Sequence, residues 1–278
     1  MIRCSTDGAV FYRFASLSRH AEVQHGIFTR LGGASTGTFA SLNVGHSVGD
    51  NPDAVEANHR LMSRALGVPL EQVVTAHQVH GCRVARVGAE QRGTVVPDTD
   101  GLITSQPGVA LLLRFADCVP VLLYAPSRHA IGLAHAGWRG VVAGVVPATL
   151  AAMRQAFGCD AGEVVAALGP AIGPCCYQVG EDVGDQVTRA VGCGDGLLPV
   201  RPVLRGVLRQ DRPNDGLYLD LPGAVRCQLE SAGVKSIETS GLCTSCHRDE
   251  FFSHRAERGC TGRFAAVLAL PRRPEGGR

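Results

Sequence analysis

Apolar residues fall along the chain in two distinguishable patterns. Short, mostly apolar runs bounded by turn residues occur at 73–76, 84–87, 109–113, 119–124, 130–134, 164–168 and 264–270. Runs of that length, flanked by Gly, Pro, Ser and Asp, predict buried strands. Other stretches carry helical spacing. Asn51 is suited to cap a helix that has Pro52 at its first position, Val55, Leu61, Met62, Ala65 and Leu66 on one face, and Gly67 at its end. Further helices are expected near 146–157, 181–191 and 220–232, the second closing before Gly192 and the third capped by Asp220 with Pro222 in its first turn. Strands and helices mix without regular alternation. The fold class expected is therefore α+β, mixed β-sheets flanked by helices in a single domain over residues 1–270.

Three segments resist such assignment. TRLGGASTGTFASLNVGHSVGD (29–50) is Gly-rich, polar and too long for a simple turn, a length that usually signals function. Residues 193–217 are rich in Gly, Pro and Arg and read as an excursion, and PRRPEGGR (271–278) reads as a disordered tail.

Composition narrows the function classes. With 278 residues, 45% hydrophobic and 19% charged, the chain has an ordinary globular make-up and ample core. A net charge of +2, with no block of like charges before the tail, suggests no nucleic-acid or membrane-surface partner. No apolar stretch approaches the ~20 residues of a membrane span. The start, MIRCSTDGAVFYRF, carries no secretory pattern, so a cytoplasmic location is expected and the 11 cysteines count as reduced thiols.

Candidate chemistry concentrates in FADCVPVLLYAPSRHAIGLAHAGWRG (115–140). A hairpin centred near Pro126 and Ser127 sets Cys118 opposite His135, to within a residue. Opposed residues on one sheet face hold their Cβ atoms about 4.5–5.5 Å apart. That distance suits a metal shared by thiolate and imidazole, a Cys–His catalytic dyad, or simple core packing. In TAHQVHG (75–81) a strand runs out into His77 and His80, either of which can supply a third ligand. Three protein ligands leave a fourth position open, as in catalytic zinc sites. There is no GxxxxGK[ST] phosphate loop, GxSxG elbow or HExxH helix, and the 10 histidines include no His-x-His pair of the kind a multicopper oxidase needs. Cys243-Thr-Ser-Cys246-His247 matches a haem-attachment pattern, but a lone Cys-x-x-Cys without a second pair is a weak metal signal, so these read as buried or near-site thiols.

TRLGGASTGTFASLNVG (29–45), VGDN (48–51), QVHG (78–81), DGLIT (100–104), ADCVPVLLY (116–124), HAGWRG (135–140), GPAIGPCCYQVG (169–180), CT (243–244) and FFSHR (251–255) together resemble the YfiH-like laccase-domain family. That family was once described as multicopper polyphenol oxidoreductases and is now described as purine nucleoside phosphorylases. The resemblance implies zinc ligands, which double as the catalytic centre, at His80, Cys118 and His135, with copper as the alternative metal. It implies phosphorolysis of adenosine, inosine and S-methyl-5'-thioadenosine, phosphate being the co-substrate, together with adenosine deaminase activity. Partners are then small-molecule purine nucleosides. Arg60, Arg139 and Arg255, with the backbone of 29–50, are the phosphate candidates. Asn43 and Gln78 are suited to bind base or ribose, and Asp117 to orient a ligand or move protons. Departures from the family pattern are Ala125, Gln178 and the run FSHRAERGCTGR. The rival readings are a Cys118–His135 hydrolase of an amide such as a peptidoglycan precursor, a copper-dependent polyphenol oxidase, and a non-enzymatic metal or nucleoside binder.

Overall fold

The computed structural model describes residues 1–192, 208–209 and 216–272. Most of the expected excursion at 193–217 and of the expected tail at 271–278 lies outside the described residues. In chain order the strands are β1 (Ile2–Thr6), β2 (Ala9–Arg13), β3 (Gln24–Phe28), β4 (Val73–Ala76), β5 (Val84–Arg86), β6 (Val95–Val96), β7 (Gly101–Thr104), β8 (Val109–Phe115), β9 (Val119–Ala125), β10 (Ala130–Ala136), β11 (Val165–Leu168), β12 (Gln178–Val179), β13 (Leu208–Arg209), β14 (Leu217–Leu219), β15 (Ser236–Thr239) and β16 (Phe264–Leu270). The helices are α1 (Ala15–Ser18), α2 (Pro52–Leu66), α3 (Trp138–Ala143), α4 (Val145–Phe157), α5 (Glu181–Val191) and α6 (Leu221–Ser231).

The strands form a seven-stranded sheet, β1-β2-β3-β16-β8-β4-β6, a six-stranded sheet, β15-β11-β9-β10-β7-β5, and a small sheet, β12-β14-β13. Most pairings are antiparallel, but β4 runs parallel to both β8 and β6, as β11 does to β15 and β5 to β7. The class is α+β with mixed sheets, as expected.

The two large sheets lie face to face. Leu111, Leu113 and Leu268 of one pack against Leu122, Tyr124, Ile131 and Leu133 of the other. The outer face of the first sheet is closed by α2, whose Met62, Ala65 and Leu66 join Leu112, Ala265 and Val267. On the second sheet Val121, Leu123 and Ala134 pack against α3, α4, α5 and α6. Strands β9 and β10 are thus covered on both faces and buried at every position, which is why their sequences read as continuous apolar runs. Burying each large aliphatic side chain here stabilises the fold by roughly 1.5–3 kcal/mol.

Local signals explain the helices. The Asn51 side chain accepts from Asp53 N at 2.9 Å, and Gly67 takes a left-handed φ of 71° to end α2. Asp220 caps α6 by accepting from Gly223 N at 2.9 Å. No helix among the described residues is long and apolar enough to cross a membrane.

One expectation shifts. The β9–β10 turn occupies 126–129, with Pro126–Arg128 as a single 3-10 turn and His129 at φ 45°. The longer turn pairs His135 with Pro120, and Cys118 falls just before β9 rather than opposite His135. A two-residue offset preserves the face, so the two side chains still meet.

Candidate metal centre and substrate cleft

Nδ1 or Nε2 of His80 and His135 and Sγ of Cys118 all lie within 4.8 Å of one another. His135 continues the Ile131–Leu133 face of β10 to the open end of the space between the sheets, where its ring stands 5.4 Å from Phe115 and 4.8 Å from His80. His80 follows β4 with a left-handed φ of 62°, and Asp117, beside Cys118, has φ 85°. Two non-glycine residues in that region, one a donor itself and the other next to a donor, mark backbone held in place by its surroundings. Gly137 has no alternative. A Cβ there would stand 2.9 Å from Cys118 Sγ and 3.1 Å from the His80 ring.

Much of that hold comes from Asp100, a residue the sequence reading did not single out. Its fully buried carboxylate accepts from His80 N (3.0 Å) and His135 Nδ1 (2.9 Å) through Oδ1, and from Val79 N (3.1 Å) and Gly81 N (2.8 Å) through Oδ2. One side chain therefore shapes the His80 loop and fixes the His135 tautomer, leaving Nε2 as the nitrogen that faces a metal if one is held here. Burial opposes the Asp100 charge, but the bonds from His135, Gly81 and Val79 outweigh it and hold the carboxyl below its ordinary range. Its sequence signals were an acidic residue before Gly101 at the start of an apolar run and its place in the DGLIT stretch (100–104) shared with the family.

Electrostatics favour a cation. Burial alone would keep the Cys118 thiol protonated, yet the His135 and His80 rings reverse this and pull it below its ordinary value. Burial lowers His135, but Cys118 and Asp100 outweigh it and raise the ring above its ordinary value. The two shifts favour a thiolate beside a protonated imidazole, a charge arrangement that suits a divalent cation in place of the proton. One thiolate and two imidazoles match the donor chemistry of three-ligand zinc.

The three residues line a cleft of about 940 Å³. Of the expected substrate contacts, Gln78, Arg139 and Arg255 line it, whereas Arg60 is exposed on α2 and does not. The Gln78 amide is committed to β8, donating to Arg114 O (2.8 Å) and accepting from Arg114 N (2.9 Å). Arg255 donates to Gln178 O at 2.7 Å and lies over the Tyr177 ring at 4.9 Å, and Arg139 lies over Trp138 at 4.4 Å. Asn43 is fully buried and spent within the fold, accepting from Gly45 N and Arg263 N and donating to Asp50. Segment 29–50 consumes its own N–H groups as well. Ser35, Ser41, Leu42 and Val44 donate to backbone carbonyls, Ala34 to Asn58, and only Gly45, His46 and Ser47 reach the cleft. Asp117 accepts from Thr244 Oγ1 and Arg255 N, both at 2.6 Å, and so ties three segments together.

The cleft also holds residues the sequence reading missed. Arg114 and Arg263 both line it, and burial lowers the pKa of each guanidinium. Arg114 donates Nε to Val44 O, Arg263 donates to Thr261 O and Gly262 O, and neither makes an ion pair with a carboxylate among the described residues. His59 donates Nε2 to Val44 O and stacks on His46 at 4.9 Å; burial, then Arg114 and His46, push it down to about 4. The Cys243–Cys246 pair lies outside the cleft, against Cys175 and Cys176.

A family model described as "Multi-copper polyphenol oxidoreductase laccase" matches residues 24–271. "Purine nucleoside phosphorylase YlmD" of Geobacillus stearothermophilus is 42% identical over 253 residues, covering 87% of this chain and 88% of that protein. "Purine nucleoside phosphorylase SCO2081" of Streptomyces coelicolor is 39% identical over 245 residues, covering 88% of this chain and 94% of that protein. The crystal structure of YlmD from Geobacillus stearothermophilus superposes with a TM-score of 0.87 at 38% identity, covering 97% of this chain and 98% of that one. The YfiH protein of Bacillus licheniformis gives 0.84 at 33% identity, with 96% and 97% covered. The chain belongs to the laccase-like polyphenol oxidoreductase family, the YfiH-like group that includes these phosphorylases.

Proposed function

We propose that the chain is a zinc-dependent purine nucleoside phosphorylase acting on adenosine, inosine and S-methyl-5'-thioadenosine, with adenosine deaminase as a second activity. One observation carries the reading: a cleft of nucleoside size in which His80, Cys118 and His135 share space with two half-buried guanidiniums that make no ion pair with a carboxylate among the described residues. The names of the relatives agree with it. Zinc held by the three residues supplies a Lewis-acid position with one site open, the chemistry that attack at C6 of adenine needs. Arg114 and Arg263 hold phosphate against the ribose, as half-buried guanidiniums lining a cleft bind tetrahedral oxyanions through several N–H groups at once. Arg139 and Arg255 border the entrance and draw the anion in. His59 stays neutral near pH 7, and with Nε2 occupied by Val44 O its Nδ1 is an acceptor for a substrate hydroxyl. Asp100 keeps the metal ligands oriented throughout. The wealth of free thiols agrees with a reducing, cytoplasmic setting.

The test is turnover of inosine by purified, zinc-loaded protein. Hypoxanthine and ribose 1-phosphate are expected only when phosphate is supplied, and a strong chelator is expected to stop the reaction until zinc is restored. Adenosine is expected to give some inosine as well. If inosine and adenosine are untouched with phosphate present while an amide is cleaved after chelation, Cys118 is a nucleophile and the reading is wrong. A set of two imidazoles and one thiolate also suits copper, so metal analysis accompanies the assay. Copper at about one equivalent, with phenol oxidation and no phosphorolysis, replaces the reading.

A further inference from the structure

Away from the cleft, two turns bring four thiols together. Cys175 and Cys176 lie in a turn in which Cys176 N and Tyr177 N both donate to Gly173 O at 3.0 Å. Cys243 and Cys246 lie in a second turn, where Cys246 N and His247 N donate to Cys243 O at 3.1 and 3.0 Å. A parallel bridge between Ala171 and Cys243 locks the turns side by side, with Ala171 N donating to Leu242 O and Thr244 N to Ala171 O. The four Sγ atoms all lie within 4.8 Å of one another, and Cys246 Sγ is 3.5 Å from both Cys175 and Cys176. Sulfurs at the corners of a tetrahedron around zinc, each at ~2.3 Å, stand about 3.8 Å apart. Gly173 N donates to Cys243 Sγ at 3.2 Å, the kind of bond that steadies a ligating thiolate.

We propose that Cys175, Cys176, Cys243 and Cys246 form a second metal site that takes zinc, separate from the cleft. Four protein ligands leave no open position, so the role is structural. What the metal fastens is the cleft wall. Tyr177, next to Cys176, lines the cleft beneath Arg255, and Thr244, next to Cys243, donates to Asp117 beside Cys118. Haem attachment at the same Cys-x-x-Cys-His run is disfavoured by the setting, because Cys243 is buried and its sulfur is held by Gly173 N. A second pair of cysteines, missing from the sequence neighbourhood, arrives from about 70 positions away in the chain, a separation given by the Cys176–Cys246 contact.

Elemental analysis of protein purified without oxidation tests this independently of the phosphorylase reading. Wild type is expected to hold about two zinc ions per chain, a double Cys243→Ser, Cys246→Ser variant about one, and His80→Ala the other one. Cobalt exchanged into the wild type is expected to show intense thiolate charge-transfer absorption that persists in His80→Ala and largely disappears in the double variant. Should the double variant be insoluble, Cys246→His keeps a zinc-binding donor set and is expected to retain both the fold and the second zinc. Zinc that falls to none in His80→Ala, or peptides linking Cys246 to Cys175 or Cys176 by a disulfide, overturns the proposal. Failure of the cleft site alone reads differently: zinc unchanged in His80→Ala but reduced by about one in the double variant.

Discussion

The two clusters of side chains suited to hold a metal are built in opposite ways. His80, Cys118 and His135 come from the ends of β4, β9 and β10, in two different sheets, and a buried carboxylate braces them from behind. The four cysteines come from two turns outside the large sheets, joined by a single bridge, and the Cys243 sulfur is held by a backbone N–H, that of Gly173. Mixed donors at the mouth of a cleft leave one coordination position for substrate, whereas four thiolates close the coordination sphere. Burial has the same logic. The thiol of Cys118 faces the cleft with two rings beside it, while Cys243 is tucked between the turns and only Cys246 is exposed. Position in the fold, more than the presence of cysteine, separates the donor set open to the cleft from the one closed between the turns.

Asp100→Ala gives the sharpest break between them. The change leaves three backbone N–H groups of 79–81 and the His135 Nδ1–H without their acceptor in a buried place. Removing one partner of a buried hydrogen-bonded charge costs about 3–5 kcal/mol. Loss of such support typically weakens metal affinity or activity by about 10–100-fold. Zinc in the cleft is therefore expected to fall while the thiol site keeps its own. A variant that holds both metals with full activity would show that the donors need no brace.

The contrast also explains what could be read from sequence. Strands β8, β9, β10 and β16 were visible because both of their faces are largely buried and the charged or ring-nitrogen residues, Arg114 and His135, fall only near strand ends. From the hairpin the Cys118–His135 pair followed, and only the longer turn was missed. Strands β1 and β2 went unread, although the Asp7–Gly8 turn between them, with φ of 54° and 89°, is a hairpin signal. Asn43 and Arg60 looked like binding residues because their chemistry is suitable, but packing decided otherwise: one is saturated inside the fold and the other faces solvent. Arg114 and Arg263 were hidden at the ends of apolar runs. The thiol site was illegible, because a bridge between Ala171 and Cys243 is a tertiary event with no local pattern.

Acid should separate loss of metal from loss of fold. His25 is 2% exposed and accepts from Phe14 N at 2.8 Å, which requires an unprotonated ring nitrogen. Burial and then Arg13 push it down to about 4, against an ordinary value of 6.5. Above pH 6.5 both folded and unfolded states carry it neutral, and it costs nothing. Between 6.5 and 4 only the unfolded state takes up the proton, so stability falls as pH falls, reaching about 3 kcal/mol below pH 4. His59 behaves alike and adds a similar loss. Chemical denaturation across this range should show a slope that flattens by about half in His25→Gln. An unchanged slope would mean that His25 is protonated in the folded protein.

The phosphate contacts sharpen the cleft side of the comparison further. Arg263→Met keeps the aliphatic stem that lies against Gly45 and removes the charge. KM for phosphate is expected to rise by about tenfold, equivalent to ~1.4 kcal/mol, with a smaller change in KM for inosine. Equal rises in both would assign Arg263 to the shape of the site instead of to the anion.

The smallest effect belongs to Arg60, which has the right chemistry in the wrong place. Its side chain is on the exposed face of α2, outside the residues that line the cleft, and it makes no ion pair with a carboxylate among the described residues. Guanidiniums on an exposed helix surface contribute within about 0.5 kcal/mol to stability and are screened by salt. Arg60→Ala is therefore expected to leave KM for phosphate within about twofold, and raising the ionic strength should shrink even that difference. Compared with Arg263→Met in the same assay, it asks whether charge near the cleft is enough or whether the guanidinium must line the cleft beside Cys118. A loss from Arg60→Ala as large as that from Arg263→Met would point to long-range steering of the anion, and the case for a phosphate pocket at Arg114 and Arg263 would fall with it.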